Sequence, residues 1–144
     1  MYIVSACLAG INCRYDGKNS LNAFVAELVK RGEAVPVCPE QLGGAPTPRI
    51  PCEITVCESG AVKVLSKDGR DMTQTFVKGA EKVLAIAKAN RATKAILKSN
   101  SPSCGCGYVY DGTFTGTKIP GNGLTAQLLI DNGIEVMTEK EQHL

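Results

Sequence analysis

Tyr2-Ile3-Val4-Ser5-Ala6-Cys7-Leu8-Ala9-Gly10 opens the chain with a short apolar run that breaks at a glycine. A run this short, bounded by turn residues, reads as a strand, Tyr2 to Ala6. The pattern recurs. Glu33-Ala34-Val35-Pro36-Val37 reads as a second strand, with Pro36 allowed only near an edge or a start. Ala95-Ile96-Leu97 reads as a third, and Ile134-Glu135-Val136-Met137 as a short last one. Helical spacing fills the gaps between them. Leu21 to Lys30 carries Phe24, Val25, Leu28 and Val29, with Gly32 as a stop. Asp71 and Gln74 resemble a capping box opening a long helix to about Asn90, with Phe76, Ala80, Val83, Leu84 and Ala87 as its stripe. Leu124 to Ile130 reads as a last helix, stopped by Gly133. Strands alternating with helices predict an α/β fold: a single domain over 1–144, with a mostly parallel sheet and helices on both faces in a Rossmann-like three-layer arrangement.

Three stretches lie outside that alternation. Glu53 to Val56 and Ala61 to Leu65 can pair as a hairpin across Glu58-Ser59-Gly60. Gly43 to Pro51 holds three prolines and reads as a stiff loop, as does Tyr110-Asp111-Gly112-Thr113-Phe114 without the stiffness.

Composition narrows the function. A hydrophobic fraction of 44% with 21% charged residues is that of an ordinary globular chain, which excludes disorder. A net charge of +2 is too small for nucleic-acid binding by bulk electrostatics. Aromatics at 5% and the absence of Trp argue against stacking platforms for single strands. No apolar run has the length of a membrane span, and the start lacks the basic residues of a signal peptide. A cytoplasmic protein without nucleic-acid or membrane partners is the expectation.

The cysteines stand out. There are seven, Cys7, Cys13, Cys38, Cys52, Cys57, Cys104 and Cys106, an odd count that argues against a disulfide framework. Cys7 lies just beyond the first strand, Cys38 just beyond the second, and Cys104 in the loop beyond the third. Parallel sheets bind ligands outside the carboxyl ends of their strands, so the three thiols are expected to meet in one crevice. Each also has Gly or Pro nearby, which stiffens the loop or lets backbone approach a bulky inorganic group. Three thiolates fit a [4Fe–4S] cluster bound at three irons, with the fourth iron open. Zinc is the competitor, but zinc sites bring closely paired ligands. The only tight pair here is Cys104-Gly105-Cys106, and the one histidine, His143, stands next to the end of the sequence. Cys104 and Cys106 could instead serve as a redox dithiol, or the whole as a non-enzymatic iron–sulfur or metal module. Cys52 and Cys57 read as buried thiols.

Four ordered motifs carry a resemblance. Cys7-Leu8-Ala9-Gly10-Ile11-Asn12-Cys13-Arg14-Tyr15-Asp16-Gly17 resembles the opening motif of the family catalogued as domain of unknown function 523. Cys38-Pro39-Glu40-Gln41-Leu42-Gly43-Gly44 with Thr47-Pro48-Arg49 is similar to its second motif. Leu97 to Gly105 and Tyr110 to Phe114 are similar to its third and fourth. The characterised members are thiouracil desulfidases, which use a three-cysteine [4Fe–4S] cluster without net redox chemistry. The resemblance implies Cys7, Cys38 and Cys104 as cluster ligands, with Glu40 and Ser101 beside the open iron. The substrate it implies is a thiolated pyrimidine, such as 4-thiouracil or 4-thio-UMP, desulfurated hydrolytically with release of hydrogen sulfide.

Under that reading Glu40 is the base that takes a proton from water, and Ser101 relays a proton or holds a ring nitrogen. The plainer alternatives are a carboxylate capping a backbone amide for Glu40 and a turn-forming serine before Pro102 for Ser101. Cys13 could be a ligand in place of Cys7, a sulfur acceptor, or a packed thiol. Arg14, Tyr15 and Asp16 read as a solvated turn, or, with Lys98 or Arg49, as a ribose-phosphate site. The start of the last helix offers amides that suit an anion.

Overall fold

A computed structural model describes residues 1–141; His143 lies outside them. In chain order its elements are β1 (Tyr2–Ser5), α1 (Ala23–Lys30), β2 (Ala34–Val37), α2 (Pro39–Leu42), β3 (Cys52–Val56) and β4 (Val62–Ser66). There follow α3 (Thr73–Ala89), β5 (Lys94–Leu97), β6 (Tyr108–Tyr110), β7 (Lys118–Pro120), α4 (Leu124–Asp131) and β8 (Glu135–Thr138). The central sheet has the order β2-β1-β5-β8, and every pairing in it is parallel.

Strand alternation divides the core in two. Ile3, Ala95 and Leu97 pack with Val83 and Ala87 of α3 and Ala126 and Leu129 of α4. Val4 and Ile96 turn the other way, onto Val25 and Leu28 of α1. Successive side chains on a strand point to opposite faces, so each strand serves both layers. Ile3, Val4, Ile96 and Leu97 are fully buried, each contributing about 1.5–3 kcal/mol relative to exposure. The three-layer α/β arrangement expected from the sequence is the one observed. Pro36 is accommodated because β2 is an edge strand.

The chain leaves β1 through α1 to reach β2 on one side. It then returns through α3 to β5 on the other side of β1. The strand order therefore reverses at β1, and a crevice opens beyond the carboxyl ends of β1, β2 and β5. Two antiparallel hairpins, β3–β4 and β6–β7, wall that crevice.

Several local expectations need correction. The first strand ends at Ser5, because Ala6–Ala9 forms a 3-10 turn that carries Cys7 and closes at Gly10 (φ 92°). Asp71 and Gln74 do not form a capping box. Helix α3 starts at Thr73, and Asp71 Oδ1 instead accepts from the Thr73 N–H and hydroxyl, 3.0 and 2.6 Å. The sequence reading missed α2, β6 and β7, whose three or four residues each are too few to show a period. Among the described residues, no helix is long and apolar enough to cross a membrane.

Candidate functional site

The sheet topology brings the singled-out cysteines together. Cys7 lies on the turn after β1, Cys38 directly after β2 at the start of α2, and Cys104 in the loop after β5. All three line one cavity of about 400 Å³, as do Glu40 and Ser101. That volume is in the range of small-molecule sites. Cys7 and Cys104 are buried and Cys38 is half-buried.

Glu40 owes its position to two glycines. A Cβ on Gly43 would lie 2.0 Å from the Thr75 carbonyl oxygen, and one on Gly79 would lie 2.0 Å from that of Pro39. Only hydrogen at both places lets α2 lie directly on α3. From α2, Glu40 forms an ion pair with Arg49, the two side chains 15% and 10% exposed. The Arg49 Nε donates to Glu40 Oε2 at 2.8 Å, and one terminal nitrogen reaches the same oxygen. That nitrogen also donates to the Cys13 carbonyl at 2.9 Å, while the other donates to Pro46 O at 3.2 Å and Thr47 Oγ1 at 2.9 Å. All five guanidinium N–H groups are thereby used. Glu40 Oε1 has no partner among the described residues. The backbone-capping alternative for Glu40 is thus not what is observed.

Cys13 belongs to the same cavity, which its sequence position left open. Its thiol is within hydrogen-bonding reach of both Cys38 and Cys7. The bond with Cys38 favours the Cys13 thiolate. The bond with Cys7 and burial outweigh it and push the thiol up to about 11. Cys38 is raised well above the ordinary thiol range by its bond with Cys13 and by burial; its Sγ also lies 3.7 Å from the Cys13 carbonyl. Burial pushes Cys104 up to about 12, against a hydrogen bond from Ser5. These thiols are neutral at pH 7 and give up protons when a metal takes them.

Among the described residues, no three His, Cys, Asp or Glu side chains gather round a point that one metal ion could occupy. Cys7, Cys38 and Cys104 enter the cavity from three different strand ends. That arrangement, with soft sulfur donors on three separate loops, fits a multi-iron group whose irons each take one thiolate better than it fits a single zinc.

Ser101 shows the turn role: its Oγ accepts from the Ser103 and Cys104 N–H groups, both at 3.1 Å, and so fixes the Cys104 loop. Its hydroxyl proton remains available to the cavity. The ribose-phosphate reading loses two of its cations, since Arg49 is fully engaged and Lys98 pairs with Glu139 at 3.2 Å. The anion reading of the last helix fails too. The N–H groups of Leu124, Thr125 and Ala126 donate to the carbonyls of Pro102 and Ser103. Cys106 does not line the cavity; its Sγ donates to Val136 O at 3.8 Å, an arrangement that gives the dithiol reading no support. Cys52 and Cys57 are half-buried rather than buried, and Cys52 lines the cavity. Sequence reasoning missed Glu53, Phe76 and Lys67, which line it as well. No local pattern marks them, because the β3–β4 hairpin and α3 bring them there through tertiary packing.

Comparisons with known proteins agree with this picture. A family model described as 2-thiouracil desulfurase matches residues 2–141. The uncharacterized protein YbbK of Bacillus subtilis (strain 168) is 46% identical over 146 aligned positions, covering 98% of this chain and 97% of that protein. The solved structure of a [4Fe-4S]-dependent thiouracil desulfidase, TudS, superimposes with a TM-score of 0.88 at 40% identity, covering 98% of this chain and 91% of that one.

Proposed function

The chain belongs to the 2-thiouracil desulfurase family, and from that premise we propose that it is a [4Fe–4S]-dependent desulfidase acting on a thiolated pyrimidine in the cytoplasm. The overall change replaces the thiocarbonyl sulfur with the oxygen of water and releases hydrogen sulfide, with no net transfer of electrons. The three cluster ligands in this reading are Cys7, Cys38 and Cys104, one from each of three neighbouring strand ends. When bound, the cluster supplies a soft Lewis-acidic iron suited to a thiocarbonyl sulfur.

The observation that carries the reading is Glu40 Oε1, a carboxylate oxygen without a partner among the described residues, in the wall of the same cavity as the thiols. A module that only carried or sensed iron would have no use for it. Held by Arg49 through Oε2, Glu40 takes a proton at Oε1 from the water that attacks the thiocarbonyl carbon. The Ser101 hydroxyl donates its proton toward the ring or the departing sulfur, while its lone pairs hold the Cys104 loop. Phe76 and Phe114, in the same cavity, give a planar ring apolar walls and keep bulk water away. Arg49 and Lys98 are engaged by carboxylates, so a phosphate of a nucleotide substrate would fall to Lys67 or Arg14 in the same cavity wall.

Anaerobic purification or reconstitution, followed by iron and sulfide analysis and a hydrogen sulfide assay with 4-thiouracil, tests the reading. About four irons per chain and sulfide release are expected. Cluster-loaded protein that leaves thiouracil intact would overturn it.

A further inference from the structure

Glu53 is 9% exposed and lines the cavity from β3. Its Oε1 accepts from two backbone N–H groups of the loop after β6, Gly112 at 3.0 Å and Phe114 at 3.1 Å. That loop lies close upon β3. A Cβ on Gly112 would sit 2.8 Å from the Ile54 carbonyl oxygen, and Gly112 (φ 93°) and Phe114 (φ 58°) both adopt left-handed backbone. One carboxylate oxygen thus pins the segment that sets Phe114 in the cavity wall. The other, Oε2, has no partner among the described residues. A buried carboxylate oxygen is costly without a donor, and holding the loop needs only one acceptor, which a glutamine would provide.

We propose that Glu53 Oε2 accepts the N3–H of the substrate ring and is a specificity-determining contact of the cavity. This rests on the desulfidase reading above. In a neutral uracil-type ring, N3–H lies between the two carbonyl or thiocarbonyl carbons and is a hydrogen-bond donor. A carboxylate matches that donor. It repels a ring that presents a lone pair at the same place, as cytosine-type rings do, and it has no use for an N3-alkylated one. Phe114, held in place by the same side chain, lies where it can cover the ring face.

The test uses rings that carry no sulfur to react. Calorimetric titration of the anaerobically purified protein with uracil and with 3-methyluracil is expected to show uracil bound at least about tenfold more tightly, the worth of a charge-assisted hydrogen bond. Glu53→Gln has a single acceptor oxygen, which the loop amides take, and it turns a donor toward the ring. It should weaken uracil about tenfold, leave 3-methyluracil unchanged, and keep the iron content and melting temperature. Equal weakening of both rings would make Glu53 a loop fastener only and overturn the proposal. So would a wild-type protein that binds neither ring or fails to tell them apart, a result that needs no variant. Ring discrimination without sulfide release from 4-thiouracil would remove the desulfidase reading and leave ring recognition by Glu53 standing.

Discussion

Arg49 holds Glu40 through one oxygen only. Both the Nε and a terminal nitrogen of the guanidinium converge on Oε2, and the remaining donors of Arg49 go to Cys13 O, Pro46 O and Thr47 Oγ1. A guanidinium fork can do this; an ammonium cannot, having three donors and no planar geometry. The arrangement separates orientation from reactivity, with Oε2 taking the positive charge and Oε1 meeting the cavity.

Glu40→Gln keeps the size of the side chain and an oxygen for Arg49 but removes the basic carboxylate. Iron content and ring binding should stay near wild type, while turnover of 4-thiouracil falls about a hundredfold or more, the usual worth of a general base. A variant that turns over at the wild-type rate would reduce Glu40 to a partner for Arg49.

Arg49→Lys should be felt twice. Loss of the fork leaves the Cys13 carbonyl with only the weaker Cys38 thiol as donor, while the exposed Pro46 carbonyl turns to water, so urea unfolding should show a loss of about 1 kcal/mol. Glu40 is also released, so kcat should fall while KM for the ring changes little. Unchanged kcat alongside reduced stability would mean that Glu40 keeps its place without the clamp.

Gly79→Ala probes the same position from beneath. The added Cβ meets the Pro39 carbonyl oxygen at 2.0 Å, a backbone atom that cannot swing aside, so α2 has to move. Overpacking of this kind costs about 1–3 kcal/mol. Because α2 carries Glu40 and follows Cys38, both turnover and cluster retention should drop. Unchanged urea midpoint and turnover would show that α2 can shift without consequence.

How much of this was legible in the sequence depended on range. Ile3, Ala95 and Leu97 announce buried strands by composition alone, and from them the layered fold and the strand-end convergence of Cys7, Cys38 and Cys104 follow. Arg49 was visible as a cation but not as a clamp, because its partners lie as far as Cys13, 36 residues away. Glu53 carries no local signal, since its loop partners Gly112 and Phe114 are about sixty positions distant. The amides that open α4 were misjudged for the same reason: the carbonyls of Pro102 and Ser103 that satisfy them come from another loop. Period and turn chemistry report on neighbours in sequence, and the chemistry of this cavity is made by contacts across it.

The cysteines make separable predictions. Cys7→Ser, Cys38→Ser and Cys104→Ser should each lower iron retention in anaerobic protein severalfold, because each removes a soft donor from one loop of the wall. Cys57→Ser, in the turn between β3 and β4 and outside the cavity, should keep full iron. Cys13→Ser should keep most of it, since Cys13 is assigned a supporting place beside Cys7 and Cys38. Full iron after loss of Cys38 would sink the assignment.

The raised thiols give the metal-free protein a pH dependence whose sign can be worked out. Burial lifts Cys104 from 9.0 to about 12 in the folded state, so above pH 9 the unfolded chain loses a proton that the folded chain keeps. The stability tied to that proton is fully present below pH 9 and is lost as the pH rises from 9 towards 12, by about 1.4 kcal/mol per unit for one such group. Cys13 and Cys52, both raised to about 11, act in the same direction. Urea midpoints of the metal-free protein at pH 8, 9 and 10 should therefore fall. Cys104→Ala should show a shallower fall, with lysine and tyrosine ionisation cancelling between the two proteins. Identical slopes would mean that Cys104 ionises in the folded chain as freely as in the unfolded one. In the loaded protein a thiolate that holds iron no longer titrates in this range, so its contribution to the slope should disappear, and that loss reports ligation without any measurement of turnover.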